Sequence, residues 1–305
     1  MLDRLALYDA LYLLAAGEGR KAALFGDTQP LASEAFSRSL AGDEFPIVWF
    51  ELPMLGRPRF DLHVALGRAA LTADPTFAQG AGNGYDELFA WYGSEEGGGG
   101  GLAFAYDTGE GRIADPAVHV CVNNAPLGDM DRFFGLASGA EAAQLYRDFA
   151  AKLPLAWHVW YAGVHPGRPG SPVRVDCLVS GERQTAYAQD LSLFEADLRA
   201  CGFTAFGPGF ERLAELVLAS PFQLELQFDV LRDGSLGPTL GLSDDRWKLI
   251  ADAAFARHVA YERENDSEGR FAPCVLFNYA KVKFTACEPQ PAKFYLMLNA
   301  RELES

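Results

Sequence analysis

The sequence predicts an α+β fold: a ten-stranded antiparallel β-barrel of five ββ hairpins with helices outside. Five pairs of strand-like segments occur along the 305 residues, and helix-like segments separate successive pairs. Two strands joined by a short turn pair in antiparallel fashion, and closing such a sheet removes both of its edges. The chain from residue 1 to residue 305 is therefore expected to form a single barrel domain.

Each strand pair is recognised by two strand-like runs on either side of a turn rich in Gly, Pro or Asp. In the fourth pair the turn contains Asp233-Gly234, a dipeptide that is frequent in tight hairpins. The predicted pairs join 47–54 to 60–66, 102–108 to 117–123, 156–164 to 172–179, 222–231 to 239–243 and 274–286 to 292–299.

Helices are predicted where apolar residues recur at helical spacing. Gly202 follows one of these segments and is a typical C-terminal stop, and Ser243 or Asp244 is a suitable N-cap for the last one. The predicted helices span 2–17, 30–41, 85–92, 128–136, 139–153, 187–201, 209–220 and 244–263.

The two faces of the strands are expected to meet different surroundings. The apolar faces need an apolar partner, which the helices supply, so the polar faces must point inward. A barrel with polar residues inside and apolar residues outside would enclose a solvated cavity. The polar faces of four second strands carry Asp61 and His63, His119 and Asn123, Arg174 and Asp176, and Lys293 and Tyr295.

Composition narrows the classes of partner. The formal net charge is −15, whereas nucleic acids and anionic membranes both require a basic surface. No apolar run approaches the roughly 18 residues that a transmembrane helix needs. The five cysteines never show CxxC spacing, which fits free thiols in a reduced compartment. We therefore expect a cytoplasmic protein that binds neither nucleic acid nor membrane.

Five hairpins with helices between them and a polar interior resemble the ABBA-type aromatic prenyltransferases, and the resemblance covers nearly the whole chain as architecture. Its most specific parts are the first and last hairpins. The strand RFDLHVAL carries Asp61 where soluble bacterial members of the family place an acidic residue. The segment KVKFTACEPQPAKFYLML is similar to the family's closing hairpin. The resemblance implies that Lys293 and Tyr295 bind a prenyl diphosphate and that Asp61 binds a metal or the acceptor.

Members of this family move a dimethylallyl or longer prenyl group from its diphosphate to an electron-rich acceptor. The reaction requires cations and hydroxyls at the departing diphosphate, an aromatic wall around the allylic cation, and a base for the acceptor's proton. The candidate base is Glu225 or, second to it, Glu51, and the diphosphate candidates are Arg174, Lys281, Lys283, Lys293 and Tyr295. The candidates for the acceptor or prenyl pocket are His63, His119, Trp157, Tyr161, Asp176, Asp229 and Met297.

The carboxylates of the expected cavity leave two interpretations open. Asp61, Asp176 and Asp229 could hold Mg²⁺ through hard oxygen ligands, or they could hold a cationic acceptor such as an amine or a guanidinium. The acceptor would be a small aromatic molecule or a peptide side chain. Secondary metabolism and peptide modification are both compatible with these acceptors, and the acidic cavity favours a polar or cationic one.

Other interpretations of the same residues are structural. Lys281 and Lys283 could be solvated charges outside the barrel, and Asp61 with His63 could be a satisfied interior pair. His119 stands where the family often has a lysine, which leaves the set of cations incomplete. This departure favours the alternative function, a non-catalytic barrel of the same fold that binds a ligand or a peptide.

Overall fold

The structure is a computed structural model. Two predicted helices, 2–17 and 30–41, lie outside the described residues. The helix predicted over 244–263 also lies outside them, except for its first residue. The described residues are 48–53, 61–66, 85–94, 101–106, 117–121, 127–165, 173–219, 223–244, 275–285, 288–289 and 293–298.

The described strands form one antiparallel sheet of eleven strands. In chain order they are β1 (Val48–Pro53), β2 (Asp61–Leu66), β3 (Leu102–Tyr106), β4 (Ala117–Cys121), β5 (Trp157–Val164), β6 (Val173–Val179), β7 (Glu225–Val230), β8 (Leu236–Asp244), β9 (Val275–Thr285), β10 (Glu288–Pro289) and β11 (Lys293–Leu298). The predicted α+β class and the five antiparallel hairpins are confirmed. The two-residue strand β10 lies in a segment for which only a turn was predicted.

Neighbouring strands follow the order β10-β9-β11-β1-β2-β3-β4-β5-β6-β7-β8, and β8 also pairs with β9. The pairing therefore returns to β9, and each of the ten longer strands has a partner on both sides. The first strand thereby pairs with the last, with Glu51 opposite Tyr295 and Pro53 opposite Lys293. Residues far apart in sequence become neighbours through this pairing alone.

In the described part of the chain, helices connect the first four hairpins. The described ones are α1 (Asp86–Gly93), α2 (Leu127–Ser138), α3 (Ala140–Ala150), α4 (Gly181–Gln189), α5 (Leu191–Ala200) and α6 (Phe210–Leu218). None of these helices is long and apolar enough to cross a membrane. Positive φ values at Gly139 and Gly202, of 93° and 99°, separate α2 from α3 and end α5, as expected for glycine.

One predicted helix is divided in the structure. The single helix predicted over 187–201 is two helices, because Asp190 has extended backbone (φ −143°, ψ 97°) and its carboxylate accepts a hydrogen bond from the Ser192 N–H at 3.0 Å. An Asp side chain that caps a new helix competes with continuation of the old one. Ser243 and Asp244 belong to β8 and pair with β9, and the helix predicted to follow them lies outside the described residues.

The apolar strand faces pack against the helices. Phe228 of β7 lies with its ring centroid 5.4 Å from that of Phe149 in α3, and Phe104 of β3 lies 5.3 Å from Phe89 in α1. These contacts confirm the predicted orientation of the apolar faces. The strand residues Val118, Val173, Val175, Cys177, Val179, Leu226 and Phe228 are each 0% exposed.

Strand β5 contains a bulge that changes which residues face the helices. Its register to β6 shifts between Val159 and Tyr161, so the alternation on one side of the bulge cannot be extended to the other. Trp157 consequently lies on the helix-facing side, where its Nε1–H donates to Tyr187 Oη at 2.8 Å and its ring stacks on Phe228. The prediction that Trp157 lines the ligand pocket is corrected by this placement.

Candidate functional site

Most of the polar residues singled out from the sequence lie on the face of the sheet opposite to the helices, which we call the polar face. Glu51, Arg174 and Asp176 lie on this face and are only 7%, 8% and 4% exposed, although no helix covers them in the described part of the chain. By register and alternation, the described members of the polar face are Trp49, Glu51, Asp61, His63, His119, Tyr161, Arg174, Asp176, Glu225, Gln227, Asp229, Lys283, Lys293 and Tyr295.

Glu51 of β1 is the centre of one cluster on the polar face. Lys293 Nζ donates to one oxygen of its carboxylate, and Tyr295 Oη donates to the other. His63 Nε2 lies 3.2 Å from the same oxygen as Tyr295. Since the partners come from β2 and β11, the pairing of the first strand with the last creates this cluster.

The surroundings of Glu51 decide its ionisation. Burial alone would raise the pKa of the carboxyl, but the hydrogen bond with His63 and the charges of Lys293, His63 and Lys283 outweigh burial. The pKa of Glu51 is therefore held well below its usual value. A carboxylate in this state is charged at neutral pH and accepts hydrogen bonds without donating any.

Asp61 lies beside Glu51 and shares its cation. Asp61 Oδ2 is 3.4 Å from Lys293 Nζ, so one ammonium group lies between two carboxylates. The cation that contacts Asp61, the predicted metal ligand, is therefore the ammonium group of Lys293. Among the described residues, no group of three or more His, Cys, Asp or Glu side chains is arranged to hold a metal ion. A metal ion at Asp61 would have to compete with Lys293 for this carboxylate.

A second cluster lies on β6 and β7. Arg174 Nε donates to Asp229 Oδ1 at 2.8 Å, and Gln227 Nε2 donates to Asp176 Oδ1 at 2.8 Å. Burial lowers the pKa of Arg174, but the charge and hydrogen bond of Asp229 and the charges of Asp176 and Glu51 raise it above its usual value. The contribution of Glu51 is informative, because β1 and β6 are far apart in the strand order. The charge of the Glu51 cluster therefore acts on the Arg174 cluster.

Three imidazole rings lie in a row beside the Glu51 cluster. The ring centroids of His63 and His119 are 6.3 Å apart, and those of His119 and His165 are 5.0 Å apart. Tyr295 approaches the other side of His63 edge-on, at 5.8 Å. His119 lies directly over Gly163, where a Cβ atom would be 2.5 Å from His119 Nδ1. The row depends on the absence of a side chain at Gly163.

The lysines of β9 lie between the two clusters. Lys283 is opposite Gly241, and Lys281 is opposite Lys293. Lys283 is half-buried, and its charge contributes to the low pKa of Glu51. This placement agrees with the interpretation of Lys283 as an interior cation rather than a solvated surface charge. The side chains of Lys281 and Met297 lie outside the described part of the structure.

The structure brings five predicted residues, Glu51, Asp61, His63, Lys293 and Tyr295, into one cluster. Among the other predicted residues on the polar face, Tyr161 is opposite Asp176, and Glu225 is half-buried at the start of β7. The register of Glu225 places it opposite Leu178 and Ser243 rather than beside Glu51.

Three residues of the site were not singled out from the sequence. Trp49 alternates with Glu51 and is opposite His63, and its buried Nε1 has no hydrogen-bond partner among the described residues. The sequence signal that could have found Trp49 is its position two residues before Glu51, which places both on the same face of the strand. Gln227, 8% exposed, alternates with Asp229 in the same way. His165 follows the last residue of β5, so the two-residue alternation of strand faces does not extend to it and could not predict its place in the site.

Comparison with known proteins gives a structural likeness only. No protein-family model matches the sequence, and no curated protein matches it. The crystal structure of the prenyltransferase PriB, a ternary complex with L-tryptophan and dimethylallyl thiolodiphosphate, matches with a TM-score of 0.54 at 16% identity. That match covers 98% of this chain and 96% of PriB. AnaPT from Neosartorya fischeri matches with a TM-score of 0.42 at 13% identity, over 86% of this chain and 80% of AnaPT.

The match to PriB extends over nearly the whole chain, and the described hairpins and helices follow the predicted order. At 16% identity it concerns the fold and carries no residue roles. The expected resemblance is confirmed at this level: the chain has the fold of the ABBA-type aromatic prenyltransferases.

Proposed function

We propose that the protein transfers a prenyl group from a prenyl diphosphate to an electron-rich acceptor, with Glu51 as the base. The observation that carries this proposal is a buried carboxylate, 7% exposed, that Lys293, Tyr295 and His63 hold in place on the polar face. The fold that the chain shares with PriB also supports the proposal, because PriB was crystallised with L-tryptophan and dimethylallyl thiolodiphosphate.

The proposed chamber is the interior of a closed ten-stranded barrel with the helices outside. The ring of strand pairings supports closure, since β8 pairs with β9 as well as with β7. The burial of the polar face supports it too. Helices cover the apolar face, and the low exposure of Arg174 and Asp176 supports a polar face covered by other walls of the sheet. The effect of Glu51 on the pKa of Arg174 agrees with walls that face each other.

Glu51 suits the role of base better than Glu225. Its carboxylate is ionised at neutral pH and is fixed by Lys293, Tyr295 and His63. A fixed anion can accept a hydrogen bond from the N–H or O–H of an acceptor and make the acceptor more nucleophilic. When the acceptor attacks the allylic carbon, the bond from that carbon to the diphosphate oxygen breaks, and the carboxylate takes the acceptor's proton.

The diphosphate would bind where cations converge. Lys283 of β9, Arg174 of β6 and Lys293 of β11 occupy the polar face, and Lys281 is opposite Lys293 in the strand register. Negative charge grows on the diphosphate as the allylic bond breaks, so these cations would stabilise it. Tyr295 would supply a hydroxyl near this group. The aromatic side chains of Trp49 and Tyr161 would face the allylic cation and stabilise it.

The acceptor is a small aromatic molecule or a side chain of a peptide. PriB holds L-tryptophan, which makes an indole the first acceptor to test. A polar or cationic group on the acceptor would be suited to Asp176, whose buried carboxylate already accepts one hydrogen bond from Gln227.

The test is product formation. Purified protein is incubated with dimethylallyl or geranyl diphosphate and a panel of tryptophan, phenols and short peptides, and prenylated products are detected by mass spectrometry. Replacing Glu51→Gln should lower turnover by roughly 10²–10⁴-fold, the usual contribution of a general base. The matched control is Glu211→Gln, an exposed glutamate on α6, which should keep wild-type turnover. Equal turnover in both variants would contradict the role of Glu51.

The alternative, a non-catalytic binding barrel, is favoured by one observation. Arg174 and Lys293 already have carboxylate partners, so a diphosphate would have to compete with Asp229 and Glu51 for them. Calorimetric titration with dimethylallyl thiolodiphosphate separates the two functions. Binding of the analogue together with product formation supports the transferase, whereas the absence of binding up to millimolar concentrations supports the alternative.

A further inference from the structure

The position of His119 is set by a glycine on the neighbouring strand. His119 of β4 is opposite Gly163 of β5, and a Cβ atom on Gly163 would lie 2.5 Å from His119 Nδ1 and 2.6 Å from the carbonyl oxygen of Val118. Heavy atoms do not approach so closely without displacing one another. Only glycine at this position lets the imidazole lie flat over the neighbouring strand.

His119 in turn forms one of two walls around His63. The His119 ring lies 6.3 Å from the His63 ring with 29° between their planes, and Tyr295 contacts the opposite side edge-on. The His63 side chain is 26% exposed and has room to rotate unless neighbours restrict it. In the restricted position its Nε2 lies 3.2 Å from Glu51 Oε2.

We propose that His119, seated over Gly163, is a positioning residue that holds the imidazole of His63 against the carboxylate of Glu51. His119 itself does not need to touch a substrate. This role rests on the proposed function of Glu51 as the base, and it assigns His63 and Gly163 to the same unit. The specific consequence is that the position of His63 depends on the ring of His119.

Several charged or titratable groups face Glu51, and they define what a change at His119 can do. They are His63 and Asp61 on β2, Lys293 and Tyr295 on β11, Lys283 on β9 and Arg174 on β6. Of these, His63 has its ring stacked against that of His119. Loss of the His119 ring should therefore remove the contribution of His63 while the lysines and the tyrosine stay in place.

The experiment compares His119→Phe, which keeps a ring, with His119→Ala, which removes it. In the free protein, the ¹⁵N resonance of His63 Nε2 reports the hydrogen bond to Glu51 directly. We expect His119→Phe to keep the wild-type resonance and His119→Ala to shift it toward the value of His63 in a Glu51→Gln variant. In turnover assays, the acid limb of kcat/KM should move to higher pH in His119→Ala, because the pKa of Glu51 rises when the contact with His63 is lost.

Gly163→Ala is a second variant, with Gly241→Ala as its matched control. A Cβ on Gly241 would lie 2.9 Å from Gln227 Cβ, so both changes crowd the polar face but only the first displaces His119. We expect the His63 resonance to shift in Gly163→Ala and to stay in Gly241→Ala.

An unchanged His63 resonance in folded His119→Ala would overturn the positioning role. Equal shifts in His119→Phe and His119→Ala, or in the two glycine variants, would overturn it as well. These resonances are measured without substrate, so their outcome is independent of whether the wild-type protein forms a prenylated product. Absence of product with the expected resonances would contradict the proposed function alone.

Discussion

Arg174 and Asp229 lie opposite each other on neighbouring strands, with Nε of the arginine 2.8 Å from Oδ1 of the aspartate. The same geometry recurs off the polar face, where Arg183 Nε lies 2.8 Å from Asp197 Oδ2 between α4 and α5. The two pairs share their chemistry and differ in location. They therefore allow the effect of breaking an Arg–Asp pair to be separated from the effect of changing the proposed diphosphate site.

Asp229→Asn should tighten the binding of dimethylallyl thiolodiphosphate, because the variant removes the anion that competes for Arg174. It should also lower the free energy of unfolding by about 1–3 kcal/mol, since a charged hydrogen bond is weakened. Asp197→Asn should lower stability by at least as much, because Asp197 also accepts a hydrogen bond from Tyr187 Oη, and it should leave the affinity unchanged. Titration calorimetry and urea unfolding measure the two quantities. Weaker binding in Asp229→Asn would show that Arg174 needs its partner to bind the ligand.

Lys283→Ala should weaken the binding of the thiolodiphosphate by roughly 10–100-fold, as expected for the loss of one charge-assisted contact in a partly buried site. Lys152→Ala is the control, since Lys152 is exposed beyond the end of α3. Calorimetric titration of both variants measures the difference. Equal affinities would place the diphosphate away from β9.

Stability should depend on pH through Glu51. Its pKa is lower in the folded protein than the value of ~4.3 expected in the unfolded chain. Its stabilising contribution is therefore fully present above about pH 4.3 and is lost as pH falls through the lower, folded-state value. Glu51→Gln removes this contribution, so the difference in unfolding free energy between wild type and variant should shrink on acidification. Urea unfolding from neutral pH to about pH 3 checks this, and a constant difference would contradict it.

Trp157→Phe should act on stability and leave the ligand site unchanged. The variant keeps an aromatic ring next to Phe228 but removes the N–H that donates to Tyr187 Oη, a loss of about 1 kcal/mol in the free energy of unfolding. Its affinity for the thiolodiphosphate should equal that of the wild type. A several-fold change in affinity would indicate that Trp157 contacts the ligand and would contradict its placement on the helix-facing side.

The strand faces could be predicted because period-two alternation is a local property. The buried valines of β4 and β6 and the polar positions of Asp61, Arg174 and Lys293 all follow from it. The assignment of Trp157 failed because a bulge breaks that alternation, and bulges depend on how two strands pair.

The contacts of Glu51 could not be predicted from local patterns. Its main partners, Lys293 and Tyr295, lie 242 and 244 residues further along the chain and meet it only because the first strand pairs with the last. A pattern that marks each strand separately cannot rank Glu51 above Glu225 as a base. The contact of His119 with Gly163 could not be predicted either, because it depends on the register between β4 and β5.

The most direct test is a crystal structure of the protein with dimethylallyl thiolodiphosphate. We expect the diphosphate within hydrogen-bonding distance of Lys283 and Arg174, and its prenyl chain enclosed by the walls that carry Glu51 and Tyr161. A diphosphate bound outside the ring of strands, or a sheet whose polar face is open to bulk solvent, would contradict prenyl transfer at this site.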